Sequence, residues 1–166
     1  MPTAEGVDGW FAGRLPDSWG TPEIAVDRDE ITVLVTVESP SVEGTEADVA
    51  AAEQGRLTRW REDTRDERVT IAREAEHRYG RKVAWGARAG GSRALFTHLS
   101  VPVMTRLRQP ERQVLDTLVD SGVARSRAEA LAWCVKLVGE HADDWLADLR
   151  EAMEAVQKVR EQGPSL

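Results

Sequence analysis

The stretch Val101-Pro102-Val103-Met104-Thr105-Arg106-Leu107-Arg108-Gln109-Pro110 decides how the rest of this 166-residue chain is read. Val101, Val103, Thr105 and Leu107 alternate with Pro102, Met104 and Arg106, the period-2 pattern of a strand with one apolar face. Pro110 then suits the first turn of a helix, where its missing N–H costs nothing. Val114, Leu115, Leu118 and Val119 fall on one side of that helix, and Ser121-Gly122 stops it. A second helix is expected to open at Ser126, which stands at capping-box spacing from Glu129. It carries Leu131, Val135 and Val138, with Trp133 or Cys134 at the flank. One short strand and two short helices cannot enclose a core, so the pattern predicts a homodimer.

In order and spacing, the stretch from about Val101 to Val138 resembles the ribbon-helix-helix family, over roughly a quarter of the chain. The resemblance implies that two chains pair their strands into a ribbon that enters the DNA major groove. It also implies that the N-terminus of the second helix holds a backbone phosphate. Carried onto this sequence, the implied DNA-binding residues are Met104, Arg106 and Arg108 on the ribbon, with Arg125, Ser126 and Arg127 at the second helix. The outward ribbon face departs from the family pattern in being largely apolar: only Arg106 and Arg108 suit base readout, and Pro102 withholds a ladder donor. Two alternatives stand beside this reading. Arg112 to Val138 also fits a helix-turn-helix with Ser121-Gly122-Val123 as its turn, and a helical dimerisation unit that touches no nucleic acid needs the same apolar faces.

Working outward, Asp143 to Gln162 predicts a C-terminal amphipathic helix, with Leu146, Leu149, Met153 and Val156 recurring every three or four residues and Trp145 widening the stripe. Toward the N-terminus, Lys82 to Arg88 and Arg93 to Leu99 read as a hairpin through Gly90-Gly91. Gly80 sits where a helix-ending glycine belongs, and Ala47 to Tyr79 reads as helix in one or two pieces. Glu23 to Val26 and the alternating Ile31, Val33, Val35 and Val37 form a second hairpin. Trp10, Phe11, Leu15 and Trp19 read as an irregular segment pinned by its aromatics. The expected fold is α+β: an N-terminal ββ-α-ββ unit with helix packed on an antiparallel sheet (1–100), a ribbon-helix-helix module (101–139) and the C-terminal helix (140–166).

Charge sorts along the chain. Residues 1–55 hold two basic and twelve acidic side chains, 56–80 seven and six, 81–136 ten and four, and 137–166 three and seven. The one strongly basic island thus coincides with the ribbon-helix-helix stretch, although the whole chain carries −7. The mixed charges from Arg59 to Arg68 read as a solvated helix face laced with ion pairs rather than an RNA-binding helix. A lone Cys134 and the scattered His77, His98 and His141 offer no metal-ligand spacing, and no cofactor motif is present. No Ser/His/Asp grouping, carboxylate pair or phosphate loop can be assembled, so an enzyme is not expected. No apolar run approaches the roughly 20 residues of a membrane span, and Met1 to Gly20 lacks the pattern of a secretion signal, which points to the cytoplasm. Two functions are therefore weighed: a dimeric transcriptional regulator whose N-terminal domain senses a ligand or a protein partner, and an antitoxin or assembly scaffold that keeps the dimer without the groove contacts.

Overall fold

The computed structural model describes residues 4–162, so the first three residues of the segment searched for a secretion signal lie outside the described residues. The fold is α+β, with six helices and a four-stranded sheet among the described residues. The chain divides into two compact units, one ending at Val103 and the other beginning at Met104.

The first unit opens with α1 (Val7–Arg14) and a 3-10 turn at Asp17–Trp19, where an irregular segment was expected. The glycine, proline and aspartate signals mark the ends of these elements: Gly6 precedes α1 with φ 77°, and Pro16 separates the two. Between them Val7 and Phe11, one helical turn apart, are buried. Strands β1 (Glu23–Val26) and β2 (Glu30–Thr36) form the expected antiparallel hairpin. Its turn is closed by Asp27 Oδ1, which accepts from the N–H groups of Asp29 and Glu30 at 2.8 and 2.7 Å.

Helix α2 (Glu46–Asp63) starts on a capping box in which Thr45 Oγ1 accepts from Asp48 N, and Asp48 Oδ2 accepts from Thr45 N. It gives way at Thr64 to α3 (Arg65–Tyr79), which ends on Gly80 at φ 64°. No proline or glycine makes the break. The Thr64 hydroxyl donates to the Trp60 carbonyl at 2.6 Å beside the Thr64 N–H, a back-bond that bends helices, and Arg68 Nη2 donates at 2.6 Å to the Arg61 carbonyl, which the N–H of Arg65 would take if the helix continued.

Strands β3 (Lys82–Ala89) and β4 (Ser92–Leu95) form the second hairpin, with β4 stopping four residues short of the expected Leu99. The sheet order is β1-β2-β3-β4, and β2 runs parallel to β3, which corrects the antiparallel sheet expected from sequence. The two-helix connection is long enough to return the chain to the starting end, as parallel pairing requires. Register sets Ile31 beside Val83, Val33 beside Trp85 and Val35 beside Ala87. Against this face pack Phe11, Leu15 and Trp19 from the opening segment and Ile71, Ala75 and Tyr79 from α3. Leu57 extends the core over Ala87 and Ala89. The Glu53 carboxylate of α2 holds the β3–β4 turn by accepting from Gly91 N at 3.2 Å.

The second unit holds α4 (Gln109–Asp120), α5 (Arg127–His141) and α6 (Asp143–Gln162). Helix α4 begins with a proline in its first turn, as expected, and turns out through Gly122 at φ 78°. Its last turn is closed by Val123 N and Ala124 N, which both donate to the Leu118 carbonyl. The core of this unit is small: Leu115, Ala124 and Ala130 are buried, with Leu107, Leu118, Val119, Leu131 and Cys134 packed around them.

Candidate nucleic-acid interface

Residues 97–108 lie outside any helix or ladder, so the strand expected at 101–107 is not paired within the chain. The physical reason is a lack of partners in its own unit: among the described residues all four strands belong to the first unit, and a lone strand has nothing to bond. Leu107 is half buried against the Leu115 cluster. Val103 and Met104, expected on opposite faces, are both open, at 86% and 97% exposure. Inward and outward faces are thus not distinguished by one chain alone.

Of the six residues implied as DNA-binding, Met104, Arg106 and Arg108 are exposed on this segment. Among the described residues, neither the Arg106 nor the Arg108 side chain has an ion-pair or hydrogen-bond partner. Arg108 is the residue before α4, and the nearby Arg112 is tied back, donating from Nη1 to the Leu107 carbonyl at 2.8 Å.

The other three cluster at the start of α5. Ser126 is the N-cap, and its hydroxyl accepts from Glu129 N at 3.2 Å. The return arm of the expected capping box is shifted by one residue: the Glu129 carboxylate accepts from Arg125 N at 2.7 Å rather than from Ser126. Arg125 also donates through its guanidinium to Glu129, with a closest ion-pair contact of 3.1 Å. Arg127 makes a two-pronged pair with Asp116 of α4, Nε to Oδ1 at 2.6 Å and Nη2 to Oδ2 at 2.8 Å. Both arginines are therefore held by carboxylates of their own unit. Each pair lowers the acid's pKa, with the arginine hydrogen bond as the main cause, and raises that of the arginine.

Beside these charges lies uncovered apolar surface. Val114, Val123, Val135 and Val138 are more than half exposed, and Trp133 is 41% exposed, on a unit with three buried core residues. Helix α6 has no buried residue; its stripe of Trp145, Leu149, Met153 and Val156 is exposed.

The charge run in the first unit departs from expectation at one point. Arg59 pairs with Asp63 at 3.4 Å on the surface, as a solvated face would, but Arg68 is buried at 7% exposure and makes no ion pair among the described residues. Its burial was hidden from the sequence because Arg68 stands in a run of charges that reads as solvated, although Ile71 and Ala75, three and seven positions on, are buried on the same helix face.

A family model described as the Rv1265-like protein, N-terminal domain, matches residues 5–95, and a second, described as the Mb1296 C-terminal domain, matches residues 108–160. Curated relatives similar to the chain include the uncharacterized protein Rv1265 of Mycobacterium tuberculosis (strain H37Rv) and the uncharacterized protein Mb1296 of Mycobacterium bovis. Each is 62% identical over 168 residues, which take in 100% of this chain and 74% of the relative. No solved structure matches the chain.

Proposed function

Because the chain belongs to the Rv1265-like family, whose two matched domains fall on its two units, we propose that it is a dimeric, cytoplasmic DNA-binding protein in which the second unit grips the duplex and the first serves sensing or partner contact. The observation that carries this reading is the exposed, unpaired segment 101–108 leading straight into α4 and α5, beside an apolar surface that one chain leaves open. Pairing that segment with its copy would supply the missing ladder and cover Val103, Val135 and Val138 in one step. The resulting ribbon would carry Arg106 and Arg108, both free of internal carboxylates, into the major groove. At α5, the capped N-terminus would meet phosphate, with Arg125 and Arg127 exchanging an internal carboxylate for a DNA oxygen. The chemistry asked of these residues is binding alone, so no catalytic step enters.

Fluorescence anisotropy with duplexes drawn from the chain's own upstream region tests this. Affinity should fall steeply and log-linearly with salt, each phosphate contact contributing a slope of about 0.9. Absence of binding to these and to random duplexes at low salt would refute it.

A second reading, an antitoxin or scaffold that keeps the dimer without DNA, is favoured by one observation: Arg125 and Arg127 are already neutralised by Glu129 and Asp116. Under it, a protein partner co-purifies and survives nuclease treatment, while duplexes are ignored.

A further inference from the structure

Arg68 poses a physical problem that the DNA-binding reading leaves untouched. Its side chain is buried, yet no carboxylate lies within ion-pair distance among the described residues. Burying a charge without a counter-ion is costly. Part of that cost is offset locally: Nε donates to Thr64 Oγ1 at 3.0 Å, Nη2 donates to the Arg61 carbonyl at 2.6 Å, and the guanidinium lies 5.3 Å from the Phe96 ring centre and 5.7 Å from that of Trp60. Nη1 has no partner. Because Trp85 Nε1 is the one fully enclosed side-chain polar atom without a partner among the described residues, Arg68 Nη1 must be open to solvent.

The opening is a cleft of about 400 Å³ at the α2–α3 break, lined by Thr58, Arg61, Arg65, Arg68 and Phe96, with Glu62 and Val69 also on its wall. Three guanidinium groups thus share one recess with a single carboxylate. Arg65 has a single weak ion pair, at 3.9 Å to a fully exposed Asp66, and Arg61 has none, lying instead 5.7 Å from the Phe96 ring centre. Burial, and after it the charges of Arg61 and Arg65, push the Arg68 pKa below its ordinary value, the electrostatic mark of a site short of negative charge.

We propose that this cleft is a binding site for a small-molecule oxyanion, a phosphate or carboxylate group held by Arg68 at the floor and by Arg61 and Arg65 at the sides, with Thr58 as a further donor. A planar guanidinium suits either group through paired N–H donors. A nucleic-acid strand is disfavoured, because its phosphates are met by exposed side chains while Arg68 is sunken, and residues 1–55 of this unit carry a balance of −10. The site stands independently of the ribbon and of DNA binding.

The test is thermal unfolding of the full chain in sodium phosphate, sodium citrate and sodium chloride at matched ionic strength. Phosphate and citrate stabilise most proteins by exclusion, so the comparison is with the Arg61→Ala/Arg65→Ala variant, which removes two exposed side chains and leaves buried Arg68 in place. The wild type should gain about 3 °C or more over the variant in phosphate, in citrate or in both, and the effective salt identifies the group recognised. Equal responses of the two proteins to both salts overturn the proposal. So does a short random duplex that binds with the same dependence on Arg61 and Arg65 and abolishes the phosphate effect.

Discussion

Asp116 and Arg127 join α4 to α5 by two short hydrogen bonds, and the pair both steadies the unit and occupies a side chain expected at phosphate. Asp116→Asn should therefore raise DNA affinity while lowering stability at neutral pH. Arg127 holds the Asp116 carboxyl below the usual carboxylate range, so the stabilisation is complete above that range and is lost as pH falls through the lowered value. Melting curves should show wild type and Asp116→Asn converging in acid; a difference that persists there would mean the pair is not its source. Arg106→Ala, which breaks no internal contact, should weaken specific binding by about 1–3 kcal/mol in anisotropy titrations with no change in melting temperature. Ser126→Ala, by contrast, removes an N-cap and should cost about 1 kcal/mol in urea unfolding. At this scale sequence reading reached Ser126, whose capping spacing is local, but not Arg68. A charged residue in a run of charges carries no mark of burial, because what buries it, Phe96 and Trp60, is brought to it by the fold.

Among the elements, the helices were legible wherever a local signal bounds them: Pro110 and Gly122 for α4, Ser126 for α5, Gly80 for α3. The Thr64 break was not, since it is made by hydrogen bonds from Thr64 and Arg68 rather than by a helix-breaking residue. Alternation in β2 identified its buried face, but period 2 is the same for parallel and antiparallel pairing, so strand direction had to come from the connection. The α4–α5 element has the thinnest core, centred on Leu115. Leu115→Ala should cost about 2–5 kcal/mol and unfold the second unit at lower temperature, leaving the sheet-based unit with its own transition in calorimetry. A single transition lowered as a whole would mean that the two units are not separately stable.

For the molecule as a whole, the second unit has more apolar surface than a single copy covers, and 101–108 has backbone groups without a ladder. In the proposed dimer, twofold pairing through that segment would meet both needs at once, and the proposed ribbon with its reach toward DNA depends on it. The expectation of a homodimer came from the sequence itself, through a shortage rather than a motif: one short strand and two short helices cannot enclose a core. Sedimentation equilibrium of the wild type and of Thr105→Pro tests it most directly, since proline removes a ladder donor without entering the Leu115 core. The wild type should sediment at twice the chain mass of 18.4 kDa at micromolar concentration, and Thr105→Pro at the single-chain mass with its helical circular dichroism retained. A monomeric wild type, or a dimer indifferent to proline at Thr105, would contradict it.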